Sequence, residues 1–452
     1  MITVNEKFRD KSVCIMGLGY VGLTLATVMA DVGFDVTGVE IRDDVLEKLN
    51  KGEPHFFEPS LPDHLRRLIR AGKIKFFNKV PASCNSTVYI ITVGTPLGPD
   101  GKSRLDVIEN VAIEVAKHLK DGDMVILRST VKLKVTRKVV MPLLEKAGVR
   151  FDLAFCPERT IEGHALIELR QLPQIVGGIN SESAVRAAQL FQFVTPSVVR
   201  VSDVETAEMI KLIDNAHRDV FLAYGNEVAR MCDAAGISAA EVISRGKLGY
   251  PRTNVAWPGP VGGPCLEKDP HILAEGLREL GIESEITLAA RRVNERQPSE
   301  VIGKLAELTR KIQGFSRNPV ISLLGIAFKG RPATDDLRGT MARPIFIELQ
   351  KHFSTAHFRG YDPMVSRDEI LKFGLDPQND LSDAFSDASI VLILNNHPQF
   401  AGMPIEKLAE KMAKPAVVYD FWNNFISEDL YLPAGVKYVG LGSIWKSGLL
   451  DK

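Results

Sequence analysis

A glycine-rich turn near the start of the chain has the spacing that binds a dinucleotide. The run Gly17-Leu18-Gly19-Tyr20-Val21-Gly22 follows a short apolar segment and precedes a helical pattern. The first glycine permits the tight turn, the second lets a pyrophosphate approach the backbone, and the third lets helix and strand pack closely. The helix N-terminus then offers N–H groups and a positive dipole to the phosphates. We predict that Gly17, Gly19, Tyr20, Val21 and Gly22 bind a cofactor.

Glu40 is the acid expected to bind the adenosine ribose of that cofactor. It ends the second predicted strand, 18 residues after Gly22, where a carboxylate can accept a hydrogen bond from the ribose 2′-hydroxyl. A carboxylate would repel a 2′-phosphate, so the sequence favours NAD over NADP. Arg42 lies close by and is expected to contact the cofactor, which weakens that preference. A turn kept only for packing is the alternative interpretation.

Two further loops follow predicted strands and are expected beside the cofactor. Gly94 and Thr95 come after the strand predicted at 87–92, and Ser129 and Thr130 after the strand predicted at 124–127. Ligands of doubly wound sheets lie beyond the carboxyl ends of the strands. Ordinary turn chemistry is the alternative, because these residue types are common in turns.

A single cysteine stands in the densest glycine- and proline-rich stretch of the chain. Residues 259–264 lead to Cys265, which is followed by Lys268 and Asp269. A helix that begins here would lower the pKa of the thiol and provide a nucleophilic thiolate. The alternative is a buried structural cysteine, the commoner fate of this residue type.

Three polar residues share one face of a predicted long helix. Glu208, Lys211 and Asn215 are spaced i, i+3 and i+7, so Lys211 and Asn215 could stabilise an oxyanion. A solvated face with a Glu208–Lys211 ion pair is the alternative. Glu158 follows the strand predicted at 151–154 and is therefore placed near a ligand, although a surface ion pair with Arg159 explains it equally well.

Composition excludes several classes of protein. The 56 basic residues balance the 56 acidic ones, and the missing basic excess argues against a nucleic-acid partner. The five cysteines form no C-x-x-C pair, which argues against a disulfide framework and a zinc site. The histidines have no ligand spacing, so we predict no metal. No apolar run reaches the roughly 18–20 residues of a membrane span, and we expect a cytoplasmic protein without membrane contact.

Strand and helix patterns alternate at both ends of the chain. This predicts βαβ units and hence an α/β fold: two Rossmann-like doubly wound lobes joined by a long central helix and a helical dimerisation region. The long helix spans about 203–235, with a Ser202/Glu205 capping box and Gly236 as C-cap. We place domains at 1–201, 202–313 and 314–452. The predicted strands are 12–16, 34–39, 87–92, 124–127, 151–154, 320–324, 357–361, 390–394 and 416–419, with helices at 23–31, 107–119 and 131–146.

Taken together, these residues resemble the UDP-glucose/GDP-mannose dehydrogenase family of nucleotide-sugar 6-dehydrogenases. The resemblance covers almost the whole chain. It is carried by Gly17–Gly22, Val93–Pro96, Ser129–Val131, Pro157-Glu158, Thr206–Glu208 with Lys211 and Asn215, Gly262–Cys265 with Lys268-Asp269, Ala327–Lys329, Thr334–Arg338 and Tyr361–Pro363. Leu266-Glu267 and the segment 339–342 depart from the family pattern.

The resemblance implies a four-electron oxidation of a sugar C6 alcohol to the carboxylate with two NAD+. It implies that Cys265 attacks the aldehyde to form a thiohemiacetal and then a thioester. It implies that Lys211, or a water held by Asp269 and Thr130, accepts the proton of the alcohol. It implies that Lys211 and Asn215 contact the oxyanion. Glu158 or Asp269 would activate the hydrolytic water.

The resemblance also indicates the substrate and the assembly. Cys156–Arg159 and Tyr250–Asn254 resemble the branch that acts on UDP-N-acetylhexosamines of the ManNAc or GlcNAc type, with UDP-glucose as the alternative. The C-terminal lobe would bind UDP, the long helix would form a homodimer, and the uronic acid would serve polysaccharide biosynthesis. Substrate contacts are implied for Glu158, Arg159, Lys211, Asn215, Arg252, Asn254, Gly262, Lys329 and Arg338.

Two other classes of function share part of this pattern. A two-electron β-hydroxyacid dehydrogenase has a Rossmann lobe, a helical region and a lysine–asparagine pair, but it needs no cysteine nucleophile. A non-enzymatic NAD-binding regulator would keep the glycine-rich turn and Glu40 but needs no reactive thiol.

Overall fold

The architecture is that of two α/β units, seen in a computed structural model that describes residues 3–444. The first unit comprises Met1–Asn215 and His271–Ser284, and the second comprises Ala216–Pro270 and Glu285–Lys452. Each unit contains one open sheet. Among the helices of residues 3–444, none is both long and apolar enough to cross a bilayer.

The first unit holds a sheet of eight strands. Its strands are β1 (Ser12–Met16), β2 (Asp35–Val39), β3 (Ile74–Phe77), β4 (Val88–Ile91), β5 (Asp123–Leu127), β6 (Phe151–Phe155), β7 (Gln174–Gly178) and β8 (Val198–Arg200). They lie in the order β3-β2-β1-β4-β5-β6-β7-β8, and all neighbours are parallel except β6 and β7. Alternate residues of β4 and β5 enter two hydrophobic clusters, so both strands read as continuous apolar runs.

The helices of the first unit follow the predicted alternation, with one shift. They are α1 (Tyr20–Asp31), α2 (Asp43–Asn50), α3 (Leu61–Arg70), α4 (Asp106–Ala116), a π-helix (Thr136–Val140) continued by α5 (Met141–Glu145), α6 (Ala165–Glu168) and α7 (Ser181–Phe191). The helix predicted from residue 131 begins only at Thr136. Lys134 has a left-handed φ of 71°, which interrupts a right-handed helix. The five strands predicted in this unit are confirmed, whereas the sequence pattern does not indicate β3, β7 or β8.

The predicted long helix is confirmed as α8 (Val204–Ala235), whose 32 residues run through the division between the units. Its predicted capping box is wrong, because the cap lies one residue later: the Asp203 side chain accepts the Thr206 N–H at 2.7 Å, and the Ser202 hydroxyl contacts the Thr206 hydroxyl. An aspartate at this position satisfies a helix N–H and complements the helix dipole. Gly236 ends the helix with a φ of 68°, and Ile237 N–H donates to the Cys232 carbonyl, as in a Schellman motif.

The second unit holds a sheet of six parallel strands. They are β9 (Val320–Leu324), β10 (His357–Tyr361), β11 (Asp376–Pro377), β12 (Ile390–Ile393), β13 (Ala416–Asp420) and β14 (Val436–Gly440), in the order β11-β10-β9-β12-β13-β14. This order reverses at β9, as in a Rossmann sheet. The four strands predicted here are confirmed, and so is the α/β fold with two doubly wound lobes.

The remaining helices complete the second unit. They are α9 (Ala239–Gly246), α10 (Asp269–Arg278, which continues into the first unit), α11 (Glu285–Lys311), α12 (Ala342–His352), α13 (Arg367–Phe373), α14 (Leu381–Phe385), α15 (Pro398–Ala401), α16 (Ile405–Glu410) and a 3₁₀ turn at Ser427–Asp429. Residues 247–268 form no helix or strand, in agreement with the predicted glycine- and proline-rich loop.

Candidate active site

The glycine-rich turn lies between β1 and α1 and has the geometry that the dinucleotide prediction requires. Gly17 has a φ of 94°, which favours glycine, and its N–H donates to the Val39 carbonyl at 2.8 Å. A Cβ on Gly22 would lie 1.9 Å from the Gly17 oxygen, whereas a Cβ on Gly19 would meet no atom within 4 Å. The helix therefore packs tightly at Gly22 and leaves room for a ligand beside Gly19.

Glu40 follows β2 and turns its carboxylate toward this turn. It accepts hydrogen bonds from Leu18 N–H and Arg42 N–H, each at 3.1 Å. The Arg42 side chain instead forms a bidentate pair with Asp44, at 2.6 and 3.2 Å. The predicted acid thus lies beside the predicted phosphate site, while the guanidinium that weakened the preference for NAD is engaged by another carboxylate.

The two loops predicted beside the cofactor contact each other. Thr95 donates from its hydroxyl to the Thr130 carbonyl at 2.6 Å, and Ser129 N–H donates to the Ile91 carbonyl at 3.2 Å. A Cβ on Gly94 would meet open space. The loops after β4 and β5 are therefore joined at the carboxyl end of the strands, the end of the sheet that also carries the glycine-rich turn.

Tyr20 begins α1, but its hydroxyl points to a carboxylate of the protein. It donates to Glu58, and Gly163 N–H donates to the Tyr20 oxygen at 2.7 Å. Burial, together with Glu58, raises the pKa of Tyr20. The predicted cofactor contact of Tyr20 is thus reduced to its backbone at the helix start.

Glu158 has a buried partner that the sequence analysis missed. Arg128, directly after β5, donates to one Glu158 oxygen at 2.5 and 3.2 Å. The other oxygen accepts from the backbone N–H groups of Arg159 and Thr160 at 2.7 and 2.8 Å. The surface ion pair with Arg159 is wrong, because the Arg159 side chain donates to the Pro173 carbonyl. The signal for Arg128 was a single arginine directly after the apolar run at 124–127.

The charges around Glu158 keep it ionised. Burial by itself would raise the pKa of Glu158, but the positive charge of Arg128 and the hydrogen bonds it accepts outweigh burial, so the pKa is lowered. The charge of Lys211 lowers it further. Glu158 and Lys211, which the sequence placed in separate motifs, therefore act on each other electrostatically.

The polar face of α8 is buried, so the interpretation as a solvated face is wrong. Glu208, Lys211 and Asn215 are only 0, 9 and 6 % exposed. The Glu208 carboxylate makes no ion pair with Lys211 but accepts from the N–H groups of Lys134 and Thr136, at 2.6 and 2.9 Å. These bonds fix the start of the π-helix. Burial raises the pKa of Glu208 to about 7.

Cys265 is exposed, so the interpretation as a buried structural cysteine is wrong; Cys14, Cys156 and Cys232 are the buried ones. It lies in consecutive turns, and its carbonyl accepts from Asp269 N–H at 2.9 Å. Helix α10 begins at Asp269, four residues after the cysteine. The Asp269 carboxylate is buried and pairs with Lys268 at 2.5 Å.

The segment around Cys265, which includes the unusual residues Leu266-Glu267, packs against the other unusual segment, 339–342. Gly263 N–H donates to the Gly339 carbonyl at 2.7 Å, and a Cβ on Gly262 would lie 2.2 Å from that carbonyl. Gly339 has a φ of 61°, and a Cβ on it would lie 2.4 Å from a carboxylate oxygen of Glu267. The two unusual segments, Leu266-Glu267 and 339–342, are therefore neighbours in space.

Other predicted substrate residues of the second unit lie in its loops. In the loop that follows β9, the Lys329 ammonium lies 5.4 Å from the centre of the Phe328 ring. Arg338 pairs with Asp336 at 2.6 Å, and Arg252 stacks on Tyr250 at 4.7 Å. Arg252 and Asn254 are exposed. Of the predicted catalytic residues, Cys265 and Asp269 belong to this unit, and Glu158, Thr130, Lys211 and Asn215 belong to the first.

The second lobe has its own acid after its second strand, in a segment that the family resemblance includes but to which the sequence analysis assigned no role. Asp362 follows β10 and accepts from Ile326 N–H and Ala327 N–H at 2.6 and 3.0 Å. It also accepts from Met364 N–H and Val365 N–H. Its side chain is buried, so this carboxylate anchors the loop after β9.

Alanine substitutions at Gly22 and Gly19 should separate packing from cofactor binding. Gly22→Ala forces a methyl group into the Gly17 carbonyl and should lower the free energy of unfolding by about 1–3 kcal/mol or more. Gly19→Ala should unfold like the wild type, because its methyl group enters open space, but it should raise the Kd for NAD+ at least about tenfold. Thermal unfolding and calorimetric titration measure both. Wild-type affinity in Gly19→Ala would contradict the phosphate site.

Glu208 should make stability fall as pH rises. Its folded-state pKa, about 7, lies above its ordinary value of 4.5, so the folded protein retains a proton that the unfolded chain releases between these values. Glu208→Gln lacks this titration. As pH rises through this window, its free energy of unfolding should therefore increase relative to that of the wild type by up to about 3 kcal/mol. Urea unfolding at several pH values measures the gain. Glu205→Gln is the control, because pairing with Arg137 lowers the pKa of Glu205, so this variant should not show the same increase. If the difference in free energy of unfolding between Glu208→Gln and the wild type is the same at every pH, the prediction is refuted.

Family models match almost the whole chain. The NAD binding domain of the UDP-glucose/GDP-mannose dehydrogenase family matches residues 11–195, its central domain matches 205–296, and its UDP binding domain matches 322–427.

No group of three or more His, Cys, Asp or Glu side chains within residues 3–444 could hold a metal ion.

Individual relatives agree with the family models. A UDP-N-acetyl-D-mannosamine dehydrogenase from Pyrococcus horikoshii is 32% identical over 95% of this chain and 99% of its own length. The structure of a UDP-ManNAc dehydrogenase from that organism superposes with a TM-score of 0.84 at 31% identity, covering 96% of this chain and 99% of its own. A UDP-glucose dehydrogenase from Pyrobaculum islandicum gives 0.83 at 25% identity, covering 97% and 99%. The chain therefore belongs to the UDP-glucose/GDP-mannose dehydrogenase family, as an NAD-dependent UDP-sugar dehydrogenase.

Proposed function

We propose that the protein oxidises the C6 hydroxyl of a UDP-N-acetylhexosamine to the carboxylate through a thioester on Cys265. The observation that carries the proposal is the setting of this cysteine. It is exposed, whereas three of the other four are buried, and it lies in a loop held by glycines that admit no side chain. A two-electron hydroxyacid dehydrogenase or an NAD-binding regulator has no use for such a thiol.

The residues of the first lobe fit NAD. The open space beside Gly19 suits the pyrophosphate, and Glu40 is placed for the ribose hydroxyls. The joined loops at Gly94, Thr95, Ser129 and Thr130 border the same edge of the sheet. Bound NAD+ supplies the hydride acceptor, and two molecules take up the four electrons of the complete oxidation.

Cys265 provides the covalent half of the mechanism. Oxidation of the alcohol gives an aldehyde, and the Cys265 thiolate attacks its carbonyl carbon to form a thiohemiacetal. Oxidation of this adduct gives the thioester. Water then adds to the thioester carbonyl, the C–S bond breaks, and the carboxylate and the thiolate are released. The covalent link keeps the reactive aldehyde on the enzyme between the two oxidations.

We assign the supporting roles to buried polar groups. Lys211, or a water held by Asp269 and Thr130, accepts the proton of the alcohol. Lys211 and Asn215 stabilise the oxyanion, a role supported by their burial on one face of α8, because a low dielectric strengthens such contacts. Glu158 or Asp269 assists the hydrolytic water. The lowered pKa of Glu158 makes its carboxylate a weak base for this step.

The second lobe is proposed to recognise UDP. Support comes from the match of its residues 322–427 to a UDP binding domain. Lys329 lies in the loop that follows β9, and such loops border the ligands of doubly wound sheets. The further contacts we assign to the substrate are Glu158, Arg159, Lys211, Asn215, Arg252, Asn254, Gly262 and Arg338.

We propose an N-acetylhexosamine as the sugar. The UDP-N-acetylmannosamine dehydrogenases among the relatives and the segments around Glu158 and Arg252 support it; a ManNAc and a GlcNAc configuration remain alternatives. UDP-glucose is the second candidate, supported by the similar Pyrobaculum structure.

The uronic acid product suits polysaccharide biosynthesis. A working thiolate requires a reducing compartment, so we propose a cytoplasmic enzyme, organised as domains 1–201, 202–313 and 314–452.

A homodimer is proposed through α8. Three large apolar side chains of this helix, Phe221, Tyr224 and Met231, are 37, 54 and 55 % exposed. Their spacing of i, i+3 and i+10 places them on one face of the helix. A contiguous exposed apolar face is typical of a protein interface, and a second copy of the same helix would cover it.

A charge on this face should dissociate the dimer. Tyr224→Arg places a cation among exposed apolar groups, where a dimer would bury it without a partner. We expect the mass measured by light scattering to fall from two chains to one. Tyr431→Arg, at another exposed tyrosine (86 %), is the matched control and should leave the mass unchanged. A wild-type protein that is already monomeric would refute the proposal.

The yield of NADH from limiting sugar tests the proposed reaction. We expect two NADH per sugar with a UDP-N-acetylhexosamine, because the alcohol loses four electrons on its way to the acid. UDP-GlcNAc, UDP-ManNAc, UDP-GalNAc, UDP-glucose and GDP-mannose are compared in parallel. Two NADH with UDP-glucose alone would overturn the substrate, and one NADH with every sugar would overturn the thioester.

The variant Cys265→Ser separates the two oxidations. It should bind NAD+ with wild-type affinity but form no acid, because the serine hydroxyl is a far weaker nucleophile than a thiolate. Cys84→Ser, at a partly exposed cysteine of the first lobe, is the matched control and should retain activity. Normal acid formation by Cys265→Ser would remove the cysteine from the mechanism.

A further inference from the structure

A buried polar network joins α8 and α11 to the loop that carries Cys265. We call residues 259–268 the cysteine loop. These residues form no helix or strand, so side chains from elsewhere must bind much of their backbone. The side chains that do so come from the second unit, and Arg291 of α11 is central among them.

Arg291 binds the cysteine loop on both sides of the nucleophile. One of its terminal nitrogens donates to the Leu266 carbonyl at 2.9 Å, and the other donates to the Val261 carbonyl at 3.1 Å. These two carbonyls flank the segment Gly262–Cys265. The arginine is only 2 % exposed, so its contacts with the loop are shielded from water.

A carboxylate on the neighbouring helix holds Arg291 in place. Asp219 of α8 accepts from Arg291 at 2.7 Å and is completely buried. Asn294, one turn after Arg291, donates to the same Asp219 oxygen at 2.9 Å. The Asp219 carboxylate thus balances the charge of the guanidinium. Because Asn294 holds that carboxylate, the plane of the guanidinium is fixed as well.

The network also binds the beginning of the loop. Asn226 of α8 accepts from Gly259 N–H at 2.9 Å. Its amide nitrogen donates to Asn294 at 2.9 Å, and its oxygen also accepts from Gln297 at 2.8 Å. Three backbone positions of the loop, at 259, 261 and 266, are therefore tied to one set of buried side chains.

The choice of arginine has a geometric reason. A guanidinium offers five donors in a rigid plane and can bind three separate acceptors at once. A lysine ammonium could balance Asp219, but it is a single point of charge that cannot reach the same three oxygens in that plane. Replacing a buried ion pair with apolar residues is often neutral for stability, so positioning of the loop is the better explanation for this pair.

We propose that Arg291 is a positioning residue that fixes the backbone on both sides of Cys265, with Asp219 and Asn294 holding the arginine. The thiolate must meet the aldehyde carbon in a narrow range of distance and angle, and a loop fixed at Val261 and Leu266 limits the movement of the residue between them. The kinetic consequence rests on the proposed role of Cys265, whereas the ordering of the loop does not.

The experiment compares Arg291→Lys with Arg292→Lys. The second is the matched control, because Arg292 is the exposed neighbour on the same helix. In hydrogen–deuterium exchange, Arg291→Lys should exchange the backbone amides of residues 259–268 about tenfold faster or more, with the rest of the chain unchanged. Its kcat for acid formation should fall about 100-fold with an unchanged KM for NAD+. Arg292→Lys should match the wild type in every measurement.

The outcomes separate this inference from the proposed function. Wild-type exchange of residues 259–268 in Arg291→Lys would overturn the inference, and so would faster exchange with unchanged acid formation. If Cys265→Ser proves fully active, the proposed function fails, yet the exchange result is unaffected. If Arg291→Lys does not fold, the double variant Arg291→Met/Asp219→Asn removes both buried charges and is measured in the same way.

Discussion

Loops that carry reactive side chains must satisfy their backbone N–H and C=O groups without a helix or a sheet. In this protein, buried ionisable side chains meet that requirement at three places. Glu208 binds the chain that leads into the π-helix, and Arg291 binds the cysteine loop. Asp362 binds the loop after the first strand of the second lobe. In these three places the backbone therefore depends on a buried ionisable side chain.

This arrangement makes the site sensitive to the loss of single groups. Arg128 and Glu158 are nearly completely buried, and so are Arg291 and Asp219. Removing one member of such a pair leaves the other charge buried and unbalanced, which costs several kcal/mol. Within the first unit, Lys211 shares its electrostatic environment with the Arg128–Glu158 pair, because its charge lowers the pKa of Glu158.

The sequence predicts those parts of the molecule that depend on neighbours along the chain. The strands of both lobes, the long helix and the glycine-rich turn follow from local periodicity and from glycine geometry. Arg128 could not be paired with Glu158 from the sequence, because 30 residues separate them and only the sheet brings β5 and β6 together. Glu208 was assigned the wrong partner because helical spacing cannot reveal that another segment covers that face.

The departures from the family pattern show the same limit. Glu267 and Gly339 each look unusual alone, and the sequence offers no reason to relate them. In the structure, a Cβ at residue 339 would collide with the Glu267 carboxylate. The two departures are therefore in contact, and the sequence alone does not reveal that contact.

The first strand of each lobe ends in the same kind of turn. Gly17 and Gly325 both have a left-handed φ, and each donates its N–H to the last residue of the next strand. The acid that follows that strand is Glu40 in one lobe and Asp362 in the other. Glu40 accepts from two backbone N–H groups, whereas Asp362 is buried and accepts from four. The corresponding carboxylates therefore differ in how many backbone hydrogen bonds they accept within their own lobe, and only the one in the first lobe is proposed to bind a ribose.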